Sequence, residues 1–571
     1  MIQYWQVERC FFDIDNIGLI LFPIRTHIEQ MKFLSKNLSG VFTSLLIIPC
    51  ILFFVSSAPS FPVSPNHQSP ESGLNYTNQK TGFTVNGEKN EADSVDVIPP
   101  PPILEDMRVM FKGLTESPYI PSIAVGVSYK HQIIWQEAFG LADIENEIPA
   151  TPQTLYSVAS VTKPLTAAAI LKLAEMGKLH LDNPVNQYLH GAQLRGFAGN
   201  ADSTTVRRVL NHTGGLPLHY QFFYSDAPHE RPDMEETIRR YGILTFRPGD
   251  RYQYSNIGYG ILDHVIQSVF GLSYNRFMEE EIFRPLGMNN SSVGIPAEKN
   301  EKQAVRYGND MRPLPFYDFD HRGASAVYST VHDLLRFGIF SIGHKRSDQT
   351  AILADSTREA MLAKSTASMG MGNQSGYALG WSITEHESGL KEVWHSGGMA
   401  GVRTILILIP EEDLVVTVLH NSNSGTPLMF ARDIVYKLLP DRFDEPERVV
   451  TEAEVFDPAP IAGMWEGKIK TYAGEKELFL FVDEDGEITV VLERNDPVML
   501  ARTYFDDYGY LRGVFFGNIG TIDINRFPYI LYLNARPEDN RMYGSITAIS
   551  IGGEREEYAL SSYVELNRVD D

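Results

Sequence analysis

Cysteine is almost missing from this chain: its 571 residues include two, Cys10 and Cys50. Beyond residue 50, disulfides and thiolate metal sites are therefore excluded. Positive charge is also short. Lys and Arg number 49 against 72 Asp and Glu, a net charge of -23 at pH 7, and the basic residues form no stripe. Phosphate backbones are bound through clustered Lys and Arg, so a nucleic-acid partner is excluded. One long apolar run occurs, at 41–55. At about 1.5 Å per residue it reaches roughly 22 Å, short of the roughly 30 Å core of a bilayer. Ser44 and Pro49 interrupt it. There is no internal repeat.

The rest of the composition is that of a globular protein, with 43% hydrophobic and 21% charged residues, in a chain long enough for more than one domain. Lys32 and Lys36, the apolar run and Ser56-Ser-Ala58 have the order of a secretory signal peptide. Residues 1–58 read as an N-terminal extension, with Met31 a more natural start than Met1, plus a signal at about 31–58. An uncleaved membrane tether is the alternative. Either reading makes the protein exported, periplasmic or extracellular. Residues 59–97, rich in Ser, Pro, Asn and Glu, read as a disordered linker. A globular region then spans 98–440, a charged, Pro-containing linker 441–457, and a β-rich region 458–571.

In the first region, Ser122–Tyr129 and Gln132–Gln136 alternate as strands about a turn at Lys130-His131. Helical periods follow at Tyr259–Phe270, Thr330–Phe340 and Leu428–Leu438, and strand-like runs return at Val393–His395, Arg403–Ile409 and Leu414–Leu419. Strands at both ends with helices between predict an α+β fold: one antiparallel sheet whose first and last segments pair, flanked by helices, with an all-α subregion. In the last region short strands alternate with turns, among them Asp485-Gly486 between Glu477–Val482 and Ile488–Leu492. These predict a small antiparallel β-barrel.

Three segments carry candidate chemistry. In Ser160-Val-Thr-Lys163, at the mouth of a helix with Ala167-Ala-Ala169, residues three apart share a face. Lys163 would then lie beside the Ser160 hydroxyl, a poor nucleophile until something takes its proton. Ser388-Gly-Leu-Lys391 has the same spacing, but Gly389 and flanking strands make it a hairpin loop. The second segment is Tyr254-Ser-Asn256, and the third His395-Ser-Gly-Gly398 with Arg403 further along. A phenol with a turn asparagine, or a lone histidine beside a glycine bulge, is ordinary structure when it stands alone.

The order and context of the three resemble the serine β-lactamase and penicillin-binding-protein superfamily, above all its class C β-lactamase, D-Ala-D-Ala carboxypeptidase and esterase branch. Leu210–Leu216, Pro285–Met288, Tyr377–Trp381 and Leu419–Asn421 also match, and the resemblance covers roughly 103–440. The β-rich region resembles the lipocalin-like barrels appended to some of these hydrolases. One departure is that His395 stands where many members have Lys.

The resemblance implies an acyl-enzyme on Ser160, with Lys163 or Tyr254 as general base. It places Asn256 on the substrate amide or on Lys163, and His395, Ser396 and Gly397 along the opposite wall. The oxyanion donors would be the backbone N–H groups of Ser160 and Gly398. No cofactor or metal is implied. A metal hydrolase would have to draw on His212, His219 and His395, and no His-Glu-x-x-His or similar spacing supports it. The implied partner is a small molecule or peptide with an ester or amide carbonyl. With His395 for Lys, recognition of a free substrate carboxylate is expected to weaken, unless Arg403 restores the charge. The alternative is a non-catalytic sensor or peptide binder that keeps the pocket. Oligomeric state is not read from the sequence.

Overall fold

A computed structural model of the chain describes residues 97–295, 301–366, 375–442, 456–551 and 555–569. Cys10, Cys50, the signal or anchor reading, the linker at 59–96 and most of the linker at 441–457 lie outside the described residues. Val95–Asp571 forms one compact unit.

The sheet that frames the first region has eight antiparallel strands. The first three in sequence are β1 (Ser122–Tyr129), β2 (Gln132–Asp143) and β3 (Ile148–Pro149). After a short strand β4 (Tyr220–Tyr224) outside this sheet come β5 (Ser375–Tyr377), β6 (Ser382–Glu385), β7 (Lys391–Met399), β8 (Val402–Ile409) and β9 (Leu414–His420). Their spatial order is β5-β6-β7-β8-β9-β1-β2-β3. The first and last long strands do pair, with Ile123 opposite His420 and Tyr129 opposite Leu414.

β8 and β9 show no in-out alternation, because helices cover both faces of the sheet. Residues two apart on a strand share a face. Val415 and Thr417 face the helix at Val331–Ser341, whose Gly338 and Leu335 close on Val415, Gly126 and Thr417. His420 faces the other way, onto Phe430 of the helix at Pro427–Leu438. The helix at Glu105–Thr115 packs on β2, its Phe111 stacked on Trp135, and a further group of helices gathers beside β7. They include α1 (Thr162–Glu175) and α2 (Asn256–Phe270). The alanines of α1 keep its surface low: a side chain at Gly380 would sit 2.7 Å from the Ala167 Cβ. The third helix of the group is one short turn, Arg322–Ser325.

The second region is a nearly closed antiparallel sheet. Its strands are β10 (Gly463–Thr471), β11 (Gly474–Val482), β12 (Ile488–Leu492), β13 (Val498–Met499), β14 (Ala501–Phe505), β15 (Leu511–Phe515), β16 (Tyr529–Glu538), β17 (Arg541–Ser550) and β18 (Tyr558–Arg568). In the order β13-β12-β11-β10-β18-β17-β16-β15-β14 the two ends are consecutive in sequence. Strict alternation, as in buried Ile488, Val490 and Leu492, fills the interior around Trp465, Leu480, Leu533, Ile546 and Val564. Gly486, with φ +89, occupies the left-handed position of the expected hairpin turn. Sequence periodicity missed β3, β5, β6 and β13, which have four residues or fewer, β14, which is largely exposed, and β4, which is buried on both faces and does not alternate.

The two regions are joined by more than chain. β4 pairs with β18, Tyr558 opposite Gln221 and Ala559 opposite Tyr220. Arg247 forks onto Glu538 at 2.7 and 3.0 Å. Asp523 accepts from the Tyr241 hydroxyl at 2.7 Å and from Arg240 Nη1 at 3.0 Å. Bonds to a charged acceptor contribute about 1.5–3 kcal/mol each, and Arg240 is partly solvated, so the pair stands near the lower end. Asp523→Ala is expected to lower the unfolding free energy by about 2 kcal/mol, read as a shift of the urea midpoint without a change in slope.

Candidate active site

Ser160 lies in a single 3₁₀ turn, Ala159–Val161, that leads into α1. It is thus one residue short of the α-helix proper, while Lys163 is inside it. Ala159 holds φ +47, a left-handed conformation that costs an L-residue about 1–2 kcal/mol. This turn sets the Ser160 hydroxyl between Lys163 and Tyr254.

Lys163 is fully buried and has three polar neighbours. Its Nζ is 3.0 Å from Ser160 Oγ, 2.8 Å from Asn256 Oδ1 and 3.1 Å from the Ala324 carbonyl oxygen. All three are neutral. Burial alone drives the lysine well below its ordinary pKa, because a low-dielectric site penalises the ammonium. Burial, not the contact set, favours the free amine, since the three neighbours would equally accept the three N–H groups of an ammonium. In the free amine two of these donated bonds persist. Asn256 Oδ1 and the Ala324 carbonyl can only accept, which uses the two amine N–H groups. The lone pair is left for the one neighbour that has a proton to give, Ser160.

Tyr254 donates its hydroxyl to Ser160 Oγ from the other side, at 2.9 Å. Burial raises its pKa above the ordinary phenol value. Burial thus acts oppositely on the two groups, keeping the proton on Tyr254 and taking it from Lys163. Tyr254 ends a segment gripped by the barrel. Arg251, three residues earlier, is buried over the rings of Tyr510 at 4.2 Å, Phe246 at 4.8 Å and Tyr508 at 4.9 Å, with Asp506 Oδ2 3.3 Å from Nη1.

The third wall is β7. His395 is buried, and its Nδ1 is 2.7 Å from the Ser396 carbonyl, which can only accept. The proton therefore sits on Nδ1, and Nε2 accepts from the Tyr377 hydroxyl at 3.0 Å. Burial pulls His395 down to about pKa 3. It is neutral at physiological pH, and it sides with Tyr254, ring centroids 6.4 Å apart. Ser396 and Gly398, two apart, are the half-exposed positions on this stretch, while Gly397 between them is buried.

A side chain at Gly397 would meet Thr404 Oγ1 at 2.2 Å and the Val158 carbonyl at 2.3 Å, so a glycine is what brings β7 against the Ser160 turn. Met399 and Val402 close a two-residue turn. By ladder alternation Gly398, opposite Arg403, stands at a non-hydrogen-bonded position, with its N–H directed away from β8. Arg403 does not point a free cation along this wall. Its Nη1 donates to the Met399 and Val402 carbonyls at 3.1 and 2.9 Å, tying the hairpin.

The structure thus gathers Ser160, Lys163, Tyr254 and Asn256 by direct contact and sets His395, Ser396, Gly397 and Gly398 along the opposite wall. The three histidines considered for a metal do not form a site: His219 instead joins Asp320 and His321 in a buried group. Residues that single-motif reasoning missed are Ala324, Tyr377, Arg251 and His212. The last, at φ +60, accepts the Ser255 N–H at 3.2 Å and lies under Tyr254, Tyr259 and Tyr377 with ring centroids 4.5, 5.3 and 4.7 Å away. The stretches Leu210–Leu216 and Tyr377–Trp381 were the available signal for two of these.

This constellation is that of a β-lactamase-fold serine hydrolase family. The family model described as Beta-lactamase matches residues 107–439, more than half of the chain, and the chain belongs to that family. Among curated relatives it is 26% identical over 339 residues to penicillin-binding protein 4* of Bacillus subtilis, covering 55% of this chain and 72% of that protein. It is 25% identical over 313 residues to protein flp of Staphylococcus aureus, covering 54% of this chain and 60% of flp. The chain therefore spans less than two thirds of flp. Among solved structures, the octameric penicillin-binding protein homologue from Pyrococcus abyssi aligns at a TM-score of 0.51 and 25% identity, covering 80% of this chain and 99% of its own. An alignment of that extent reaches beyond the matched family region.

Gly397→Ala is expected to push β7 off the Ser160 turn and to slow covalent labelling of Ser160 by a fluorophosphonate at least about 10²-fold, the scale of a misplacement near 1 Å. Arg251→Ala should slow the same labelling about tenfold by loosening Tyr254, with intact-protein mass spectrometry as the readout for both.

Proposed function

We propose that the protein is an exported serine hydrolase that forms an acyl-enzyme on Ser160 from ester or amide substrates. It acts as an esterase, a D-aminopeptidase or a D-Ala-D-Ala carboxypeptidase-like enzyme. The observation that carries this is the burial of Lys163 with no anion among its hydrogen-bond partners, its Nζ 3.0 Å from Ser160 Oγ, where a free amine can take the Ser160 proton. As Oγ attacks the carbonyl, its proton passes to Lys163 Nζ. The backbone N–H groups of Ser160 and Gly398 receive the oxyanion, and each such donor is worth about 10²–10³ in rate. Tyr254, kept protonated by burial, donates to Oγ and delivers a proton to the leaving group. The Lys163 ammonium then returns its proton to the Tyr254 oxygen, restoring phenol and free amine. Lys163 next takes a proton from the water that attacks the acyl-enzyme and gives it to Ser160 Oγ as the acyl group leaves.

The wall formed by His395 carries no permanent charge. A substrate carboxylate near the scissile bond finds no ammonium there, and esters, lactones or N-terminal D-residues suit the cleft better than β-lactams. The leader-like segment at 31–58 supports meeting such substrates outside the cytoplasm.

The test is turnover of p-nitrophenyl acetate, D-amino acid amides, D-Ala-D-Ala peptides and nitrocefin, together with fluorophosphonate labelling. Ser160→Ala is expected to abolish both, and Lys163→Ala to lower kcat at least about 10²-fold. A wild-type protein that neither labels nor turns over any of them would be the non-catalytic binder instead. The pH dependence has a fixed sign. Lys163 acts as the free base and its pKa is depressed, so kcat/KM should rise with pH and reach its plateau well below 10.5. His395, held at about 3, adds no step between pH 5 and 8. A rate still climbing at pH 10 would contradict the amine's role.

A further inference from the structure

At the end of the eight-stranded sheet away from the cleft, three loops bring His131, His344 and Asp413 together. His131 is in the β1–β2 turn, Asp413 in the β8–β9 turn, and His344 follows the helix at Val331–Ser341. Asp413 Oδ1 is 2.6 Å from His344 Nε2, and Asp413 Oδ2 is 3.6 Å from His131 Nε2. The ligand atoms of all three lie within 4.8 Å of one another. Donors about 2.0–2.2 Å from one tetrahedral ion stand roughly 3.3 Å apart, a spacing these separations bracket. All three side chains are part-exposed, at 48%, 37% and 33%, which leaves room for water ligands.

The backbone supplies an independent pointer. Lys130 and His131 occupy the two central positions of their turn with φ +48 and +68, and Asp413 holds φ +51. Turns of this kind take Asn-Gly or Asp-Gly, because a side chain at positive φ is disfavoured. A lysine-histidine pair there is poor turn chemistry, and strain held at a cluster of ligand-type side chains points to a role for the side chain. The two turns are also tied to each other, the Lys130 N–H donating to the Asp413 carbonyl at 3.0 Å. Two of the three donors therefore share one rigid frame.

We infer that His131, His344 and Asp413 form a surface site for one borderline divalent transition-metal ion, of the zinc, cobalt or nickel type. Two imidazoles and one carboxylate select such ions over magnesium or calcium, which prefer all-oxygen sets. The site lies six residues along β1 from the Ile123–His420 pair, about 20 Å at 3.3 Å per residue. It is separate from Ser160, and its effect is to clip two hairpins and a helix end together.

The experiment uses the tag-free full chain titrated with CoCl2 and ZnCl2, followed by Co²⁺ visible absorption, calorimetry and thermal melting. Wild type is expected to take up one equivalent saturably and to melt a few degrees higher with metal. His344→Ala should weaken binding at least tenfold. His131→Asn gives two opposite readings: asparagine relieves the positive φ, so the metal-free melting temperature rises, while the metal-induced shift disappears. His229→Ala, a histidine elsewhere on the surface, should bind as wild type. No saturable binding by wild type, or unchanged Co²⁺ spectra and affinity in His344→Ala or His131→Asn, would overturn the assignment.

Discussion

The site depends on a lysine held away from water with no anion beside it. A buried ammonium is stable when paired with a carboxylate. Lys163 has instead an amide oxygen, a peptide carbonyl and a serine hydroxyl. Burial without an anion disfavours the charged form. Much of the surrounding fold preserves that burial. The alanines of α1 let neighbouring backbone close in, α2 presents Asn256, and the short helix after His321 places the Ala324 carbonyl.

The same exclusion of water sets the character of the opposite wall. His395 stands where the motif this chain resembles has Lys or His. It is locked as a neutral ring between its own carbonyl neighbour and Tyr377, so the wall donates no charge to a substrate. Tyr254, Tyr259 and Tyr377 surround His212, and this aromatic packing lends Tyr254 a fixed direction. The barrel reinforces that direction through Arg251, whose guanidinium is stacked among three rings and faces Asp506. The appended region is therefore part of the framework around the cleft: β4 pairs with β18, and the Arg247–Asn256 segment runs from the barrel to the site.

Much was legible in the chain before any coordinates. Apolar runs, alternation and turn chemistry located the long strands of the sheet, the principal helices and most barrel strands: the barrel strands alternate with one face buried, while β8 and β9 read as continuous apolar runs covered on both faces. Ser160, Lys163, Tyr254 and Asn256 were legible because each lies in a short segment whose spacing carries meaning. The Ser-x-x-Lys at 388–391 was separable from the one at 160–163 by Gly389 and the strands that flank it. Harder to see were groups that act through backbone or packing. The Ala324 carbonyl has no residue-type signature, and Arg251 reads as an ordinary charged turn residue until the barrel closes on it. Arg403 looked available to a ligand from its place on the strand, yet its Nη1 is spent on two carbonyls of its own hairpin.

The sequence by itself determined the class of fold, the two-part organisation and the principal residues of the candidate site, since periodicity and motif spacing are local properties. Tertiary structure alone decided the protonation states, because these follow from burial and from partners up to 161 residues away. It likewise decided that His395 is neutral, that Arg403 faces its own turn, and that three histidine and aspartate side chains from distant loops meet at the far end of the sheet. Proximity in space, unlike periodicity along the chain, leaves no mark on a single sequence.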